Sequence, residues 1–574
     1  MPLLTDEALP GSQTINLYRR TYTTILRSRG EVRLRAFDAA HREARPSLHA
    51  DAADQRPDPG ALIYAVNRLP KVANCVDHIW LAQMPEQVVR ATGQSVEGWE
   101  RVRAPARRRA WYYDGARTLA VYIASPSDLD DMVPTLVAYQ IEWNKLHDRL
   151  STAPALRDRV LEAGSCTPDL LEELAAALDV PPADWARLLR AWDEAVWETV
   201  RRIAAAPKDL GIRLIGGTHT AYAKLVRRWS GPIAQHLAER GLVQRPIYFI
   251  SSNTHGLVNL LSGYSLRQAA QLEDFLRTTR DGEAAELREA WHYSNRENLL
   301  YYVDRLWTRR HPDPQARIRD RTAEEEAVGI RRIPAQIGLD VDAQVIELDR
   351  LRPDRCDPRL ADIAPALRDS GAVIVNIDYP LGLAAYRILR EVAEICDRLV
   401  GVYVVGKAAT LNGDVGDILI SDVVFDEHSS NTYSFPNAFR YDDVAPYLAC
   451  GSVLDNQKAV TVRGTFLQNR DYLEVFYREH YTVVEMEAGP YLSAVYEASY
   501  PTRHPVGEAV HFRELPFDLG IIHYASDTPY TRARTLGGQS LSFEGIDSTY
   551  AAIIAVVRRI ARQTGRSEKV QTNV

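Results

Sequence analysis

The first half of the chain has a predominantly helical pattern of apolar and polar positions. Between Ser125 and Leu150, apolar residues recur every three or four positions behind Ser and Asp residues that suit a helix N-terminus. The same period returns in residues 167–180, 182–206 and 265–294. This pattern predicts a mainly helical N-terminal domain over residues 1–310, to which no role can be assigned.

One segment of this half has a different pattern. In RPIYFISSNTHGLVNLL, a β-rich run from Ile247 to Ile250 is followed by a polar turn and an apolar helical run. The sequence therefore predicts a strand, a turn and a helix N-terminus in direct succession. Ser252, Asn253 and Thr254 either cap this helix or belong to a ligand-binding junction, because a helix N-terminus has unpaired N–H groups.

The pattern changes after a charge-dense, proline-containing segment at residues 311–330, which we interpret as a linker, with an exposed helix as the alternative. From residue 331 to 574, short β-rich runs such as AVIVNI, VYVV, YTVV and FDLGIIHYA alternate with helical segments. Such alternation is typical of an α/β domain. We expect a central mixed, mostly parallel sheet in this part of the chain.

Composition narrows the class of protein. Hydrophobic residues make up 46% of the chain and charged residues 25%, as in soluble globular proteins, and the net charge of −7 does not favour a nucleic-acid partner. No run of eighteen apolar residues and no signal-peptide pattern is present, so no membrane partner is expected. Five widely spaced cysteines indicate reduced thiols, and a cytoplasmic location is predicted. No metal site is predicted.

Candidate chemistry lies where the β-rich runs of the second half end. Polar or acidic segments follow four of these runs: DYPLGLAAY, GKAATLNGDVGD, EMEAGPY and SDTPY. Ligands of open α/β sheets bind beyond the carboxyl ends of strands. Glu485 and Glu487 would share one face if the strand continued through them, and two acids at one cavity are good hydrogen-bond acceptors for a diol. Burying them is costly without such a partner.

The order of these segments resembles the nucleoside phosphorylase superfamily, which includes purine nucleoside phosphorylases, AMP nucleosidase and methylthioadenosine nucleosidase. The resemblance extends from about Ala372 to Arg562. VEMEA, residues 484–488, matches the ribose motif of the hexameric purine nucleoside phosphorylases, and Ser526 and Asp527 follow at about the expected separation. The N-terminal half shows no such resemblance in its motifs, although AMP nucleosidase also has an added N-terminal domain.

The resemblance implies a role for each residue of the substrate site. Glu487 would accept hydrogen bonds from the ribose 2′ and 3′ hydroxyls, with Met486 against the sugar face. Glu485 would either support these contacts or join them. Phe466 lies about where the family has an aromatic residue against the base. Alternatives stay open: a sheet-end acid can pair with an arginine, and Phe466 can be an ordinary core residue.

The resemblance also implies a catalytic pair. Asp527 would be the general acid that protonates the leaving base, oriented by Ser526. This role suits N-glycosidic cleavage, because the sugar becomes cationic in the transition state and an unprotonated base is a poor leaving group. Positioned proton transfer typically contributes about 10²- to 10⁴-fold to the rate.

The anion site is where the sequence departs from the family. A valine and Lys407 stand at the strand end where the phosphorylases have an arginine and a serine, and Gly382 and Gly406 are the remaining candidates for binding phosphate. Lys407 can bind phosphate, bind a 5′-phosphate or carboxylate of the substrate, or form an ion pair. No cofactor is implied, apart from inorganic phosphate if the reaction is phosphorolysis.

The sequence thus predicts an enzyme that cleaves the N-glycosidic bond of a purine-type nucleoside or nucleotide by hydrolysis or phosphorolysis. The alternative is a non-catalytic nucleoside or nucleotide sensor. Groups missing from the anion site can come from the first half, where the candidates are Arg107, Arg108, Arg109, His255 and Arg296. The resemblance also implies a homo-oligomer.

Overall fold

The computed structural model describes residues 11–28, 30–528 and 545–571. Its first part, up to residue 239, contains short strands between helices. The elements are α1 (Ser12–Leu26), β1 (Val32–Arg33), α2 (Asp38–Ala44), α3 (Pro59–Arg68), β2 (His78–Ala82), α4 (Pro85–Thr92), β3 (Glu100–Arg103), β4 (Ala110–Tyr113), β5 (Thr118–Tyr122), α5 (Pro126–Ser151), α6 (Pro154–Glu162), α7 (Pro168–Ala177), α8 (Pro182–Trp192), α9 (Val196–Ala205), β6 (Gly211–Ile215) and α10 (His219–Glu239).

The second part begins with a strand and alternates between strands and helices. Its elements are β7 (Ile247–Ser251), α11 (Gly256–Ser262), α12 (Ala269–Thr278), α13 (Gly282–Ala290), α14 (Arg296–Arg310), α15 (Pro314–Ala327), β8 (Ile330–Ile333), β9 (Ala343–Glu347), α16 (Ala364–Asp369), β10 (Val373–Ile377), α17 (Ala384–Ile395), β11 (Leu399–Thr410), β12 (Ile418–Asp426), β13 (Asn431–Ser434), α18 (Tyr441–Val444), β14 (Val453–Thr461), α19 (Arg470–Arg478), β15 (Tyr481–Glu485), α20 (Ala488–Ser499), β16 (Ala509–His511), β17 (Asp518–Asp527) and α21 (Ile546–Gln571).

The N-terminal part is not only helical, because it contains a six-stranded sheet in the order β1-β6-β2-β5-β4-β3. Its strands are two to five residues long, and β5 is buried at every position. Short, fully buried strands do not show the alternation of apolar and polar residues that identifies a strand in a sequence. The helix predicted over residues 125–150 is confirmed as α5, which the Ser125–Asp128 capping box begins.

The larger sheet contains eleven of the described strands, and β17 pairs with both β11 and β12. Six of its strand pairings are parallel and five antiparallel, so the mixed sheet is confirmed while "mostly parallel" is not. The pairings β11-β17-β12-β14-β15-β11 close a ring of five strands. This ring brings the ends of β11, β15 and β17 together.

The division of the chain also differs from the one expected. The strand predicted around Ile247 is confirmed as β7, but it lies inside the larger sheet, between β10 and β11. The segment expected to be a linker contains helix α15, where Arg317 is buried and its guanidinium donates to the Asp304 carboxylate at 2.6 Å. The sheet therefore draws on residues on both sides of 311–330. None of the helices in the described ranges is both long enough and apolar enough to cross a membrane.

Candidate active site

Strand β15 ends at Glu485, so the two glutamates of VEMEA do not alternate along one strand. The Glu485 carboxylate accepts hydrogen bonds from the backbone N–H groups of Glu487 and Ala488, both at 2.6 Å, and from the Thr461 hydroxyl. Glu485 is only 3% exposed. Burial, with a smaller contribution from the charge of Glu487, raises the pKa of Glu485 to about 8. Glu485 thus fixes the start of α20.

Glu487 precedes α20, and its carboxylate points to a different partner. The backbone N–H of Gly382 donates to it at 3.1 Å. Burial raises the pKa of Glu487 to about 7, against the lowering effect of that N–H and of the Arg107 charge. Gly382 has a φ of +52°, and a Cβ there would lie 2.6 Å from the Cβ of Ser127. The loop that contacts Glu487 therefore requires glycine.

Met486 and Phe466 differ in their surroundings. Met486 is partly buried against a cluster that includes Phe425 and Val460. Phe466 is only 2% exposed, and its ring centroid lies 5.0 Å from that of Tyr64. His41 and His49 also pack near the Phe466 ring, so residues of the N-terminal part enclose it. In this structure Phe466 has the environment of a core residue.

Ser526 and Asp527 end strand β17 and are both partly exposed. The Ser526 hydroxyl lies 2.9 Å from the Asp527 carboxylate, to which it can donate, and 3.3 Å from the carbonyl oxygen of Ala408. Asp527 lies opposite Ala409 in the ladder between β11 and β17. Its negative charge raises the pKa of Lys407 and of Arg68 against larger lowering effects. The charge of Asp527 thus bears on two cationic side chains, Arg68 and Lys407.

Lys407 and Gly406 lie near the end of β11, as the sequence predicts. The Lys407 side chain is exposed, yet surrounding protein atoms and then the charge of Arg108 lower the pKa of its ammonium group. Among the residues that the structure describes, the Lys407 side chain has no hydrogen-bond or ion-pair partner. Its ammonium group is thus available to an anion, whereas Gly406 faces the His523 ring.

Three consecutive arginines of the N-terminal part reach this region from the segment between β3 and β4. Arg107 donates to both carboxylate oxygens of Asp131, at 2.6 and 3.2 Å, and Arg109 bridges Asp131 and Asp128. Although burial alone would raise the pKa of Asp131, Arg107 and Arg109 hold it well below its usual range. This network positions Arg107 beside Glu487.

The other candidates from the first half are Arg108, His255 and Arg296, and they have different surroundings. Arg108 contacts the carboxylate of Asp378, and its guanidinium lies 5.5 Å from the centroid of the Tyr379 ring. His255 precedes α11, and burial, then the charges of Arg305 and Arg108, lowers its pKa to about 3. Arg296 pairs at the surface with Glu273 instead.

Several residues of this region were not found from the sequence. They are Arg68, Ser127, Asp131 and Arg305. Ser127 and Asp131 belong to the acidic start of α5, which the pattern indicates only as a helix cap. The first turns of α5 contain more acidic residues than a helix cap needs. This excess is the sequence feature that could have indicated a functional role for Asp131. Nothing in the sequence around Arg68 or Arg305 distinguishes them from other surface-pattern arginines.

The protein is thus a mixed α/β protein with carboxylates and arginines near the neighbouring ends of β11, β15 and β17. The chain belongs to a family of unknown function, DUF6909, whose model matches residues 34–562. The matched residues thus include all strands of the eleven-stranded sheet and all strands of the six-stranded sheet except β1. No curated protein matches the chain.

Solved structures resemble part of the chain. A 5′-methylthioadenosine/S-adenosylhomocysteine nucleosidase from Neisseria meningitidis, in complex with methylthio-immucillin-A, is 12% identical, with 40% of this chain and 91% of that chain covered and a TM-score of 0.27. The corresponding nucleosidase from Colwellia psychrerythraea, in complex with adenine, is 13% identical, with 41% and 88% covered and a TM-score of 0.26. A uridine phosphorylase from Schistosoma mansoni is 14% identical, with 34% and 71% covered and a TM-score of 0.23.

Proposed function

We propose that this protein cleaves the N-glycosidic bond of a purine-type nucleoside or nucleotide. The observation that supports the proposal is the position of two carboxylates at the ends of strands on either side of β11, where Ala409 pairs with both Val484 and Asp527. Glu487 follows β15 and accepts from the Gly382 N–H, and Asp527 lies beside the Ser526 hydroxyl. One can serve as an acceptor for sugar hydroxyls and the other as an acid for the base. Both stand among arginines, whose charges bear on Glu487 and Asp527.

The different roles of Asp527 and Glu487 follow from the chemistry of the N-glycosidic bond. As the bond to the base breaks, positive charge develops on the sugar and negative charge on the base. Protonated Asp527 donates to a ring nitrogen of the base, and ionised Glu487 accepts from the ribose 2′ and 3′ hydroxyls, with Met486 against the sugar. A positioned acid contributes about 10²- to 10⁴-fold. Glu485 supports this site by fixing the start of α20.

Either water or inorganic phosphate attacks the anomeric carbon in this scheme. Water leads to free sugar, and phosphate leads to a sugar 1-phosphate. Lys407, Gly382 and Gly406, together with Arg107, are the groups that would hold phosphate. A homo-oligomer remains a prediction of the sequence.

The test is base release from a panel of purine nucleosides and 5′-nucleotides, with and without phosphate, followed by chromatography. Release that requires phosphate identifies a phosphorylase, and release without it a nucleosidase. Asp527→Asn should lower the rate by about 10²-fold or more. Asp471→Asn, the same change at an exposed position of α19, is the matched control and should leave the rate unchanged.

A non-catalytic nucleotide sensor is the second candidate function. It is favoured by the contact between the Gly382 loop and the N-terminal part, in which the Leu383 N–H donates to the Ser127 hydroxyl at 2.9 Å. A ligand that displaced this loop would change the contact with α5. Saturable binding without base release, in either condition of the assay, would exclude the enzyme and select the sensor.

A further inference from the structure

Four buried polar side chains form a hydrogen-bonded series, the histidine network, between helices α1 and α5. The network runs from Tyr18 on α1 through His41 on α2 and then His49 to Glu142 on α5. The Tyr18 hydroxyl lies 2.9 Å from Nδ1 of His41. Nε2 of His41 lies 2.9 Å from Nδ1 of His49, whose Nε2 lies 2.7 Å from Oε1 of Glu142. All four residues are fully buried, so each ring nitrogen has a protein partner and none faces solvent.

The surroundings of Glu142 fix the direction of these hydrogen bonds. Oε1 of Glu142 also lies 2.7 Å from the Lys145 ammonium group, and Oε2 accepts from the Asp58 N–H at 2.5 Å. Because both oxygens face donors, the carboxylate carries no proton, and His49 donates to it. A neutral His49 then accepts from His41, which in turn accepts from the tyrosine hydroxyl. The histidine network is therefore complete without an added proton.

An added proton is unfavourable in this arrangement. A proton on either ring turns Nδ1 of His41 into a donor, so the Tyr18 hydroxyl loses its acceptor, which is its one partner among the described residues. A buried charge and an unsatisfied buried hydroxyl both cost free energy. Burial, and after it His49 and the charge of Arg42, hold the pKa of His41 well below its usual range. The titratable and charged groups around the network come from four segments: Arg19 and Tyr22 on α1, Asp38 and Arg42 on α2, Asp58 before α3, and Lys145 on α5.

Helix α1 covers a contact between the N-terminal part and the larger sheet. In the first turns of α5, the Asp130 carboxylate accepts from the Arg19 guanidinium at 3.0 Å and from the Tyr22 hydroxyl at 2.5 Å. Arg463, just beyond the end of β14, donates to the Asn16 side chain at 2.9 Å. Helix α1 therefore bonds both the start of α5 and the segment that follows β14. Both of these segments adjoin the candidate active site.

We propose that the histidine network is a proton-sensitive latch, which holds α1 in place at neutral pH and releases it on acidification. In the released state, His41 no longer faces Tyr18 and is reached by water, so it binds a proton with the ordinary histidine pKa of about 6.5. The closed state binds fewer protons than the released state below that pH. The opening constant of α1 is therefore constant above about pH 6.5 and rises by at most about tenfold for each pH unit below it. This latch does not depend on glycosidic cleavage.

Native-state hydrogen exchange of the full chain, measured by mass spectrometry, reports this opening. Peptides from α1 and from the reference helix α14 are compared at about pH 7.5, 6.5 and 5.5, after correction for the intrinsic pH dependence of exchange. Protection of α1 should fall by up to about tenfold between the two lower pH values, whereas protection of α14 should stay the same. A loss shared equally by α1 and α14 would indicate general acid unfolding and overturn the inference, as would equal protection of α1 at all three pH values.

The test variant is His41→Gln, because glutamine can still donate to His49 but binds no proton. Its α1 protection should be the same at the two lower pH values, and an unchanged pH response would contradict the latch. His147→Gln is the matched control at a partly exposed histidine of α5, which bonds the carbonyl oxygen of Ile203, and it should keep the response. Circular dichroism checks that each variant is folded. If His41→Gln is not, Tyr18→Phe takes its place: it should raise the opening constant of α1 at pH 7.5 roughly 2- to 10-fold, since one buried hydrogen bond is lost, and unchanged protection would overturn the inference.

Discussion

At the scale of single residues, two glutamates two positions apart have different tasks. Glu485 satisfies the first N–H groups of α20 and is enclosed, whereas Glu487 faces the Gly382 loop. The difference arises because the strand ends between them, and the chain turns into a helix before the second carboxylate. The motif thus contains one carboxylate that supports the start of α20 and one that is the candidate sugar acceptor.

The raised pKa of Glu485 predicts how stability depends on pH. Its ordinary value is 4.5 and its value in the folded protein about 8, so the folded state binds the proton more tightly between these limits. The unfolding free energy should therefore fall as pH rises from about 5 to 8, by at most about 1.4 kcal/mol per pH unit for this group. Glu485→Gln should reduce that slope in urea denaturation. An unchanged slope, equal to that of the exposed-site control Glu479→Gln, would contradict this assignment.

At the scale of elements, the short segment between β3 and β4 affects the pKa of Glu487, which lies almost four hundred positions later in the chain. Asp131 on α5 holds Arg107, and the positive charge of Arg107 lowers the pKa of Glu487. Neither partner has a sequence signal that links it to the other. The coupling exists only because α5 and the Gly382 loop pack together through Ser127.

Removing this charge predicts a shift in the pH profile of activity. In Arg107→Gln, the pKa of Glu487 should rise, so the ionised acceptor forms only at higher pH. The acidic limb of kcat/KM against pH should move upward, and the loss of activity should be larger at pH 6 than at pH 8. Arg103→Gln, an exposed position on β3, should leave the profile in place. A uniform loss of activity at all pH values would argue for a structural role of Arg107 only.

Gly382 lies in the loop that contacts both Ser127 and Glu487, and replacing it should affect both stability and activity. Gly382 and Gly371 both have left-handed backbones, but a Cβ at residue 371 would meet nothing within 4 Å. Gly371→Ala should therefore cost about 1–2 kcal/mol of unfolding free energy from backbone strain alone. Gly382→Ala should cost more and also reduce base release, because its Cβ displaces Ser127 and the donor to Glu487. Equal effects of the two substitutions on base release would contradict this role of the loop.

At the scale of the whole molecule, the two sheets divide the chain differently from its sequence pattern. β7 precedes the charge-dense segment by about sixty residues, yet it fills the gap between β10 and β11. A fragment of residues 331–574 should therefore expose two unpaired strand edges and fail to fold. A fragment starting near residue 241 keeps β7 and should recover more native circular dichroism. Cooperative unfolding of the shorter fragment would contradict this division.

Part of the fold and of the candidate site could be predicted from the sequence, and the other part could not, for physical reasons. Long amphipathic helices such as α5 and strands followed by polar turns such as β7 have periodic patterns that predict them. The short buried strands of the first sheet have no such pattern. Asp527, Glu487 and Lys407 could be selected because they follow apolar runs. Arg107 could not, because its place beside Asp131 and Glu487 depends on packing between distant segments.

In the proposed reaction, Asp527 protonates the leaving base, and this role can be tested by following the products. Purified protein is incubated with a purine nucleotide and its nucleoside, and free base and sugar product are quantified over time. We expect base and sugar product in equal amounts from the unmodified protein, and a rate lower by about 10²-fold or more in Asp527→Asn. Saturable binding with no base released from either ligand would contradict it, as would undiminished release by a folded Asp527→Asn protein.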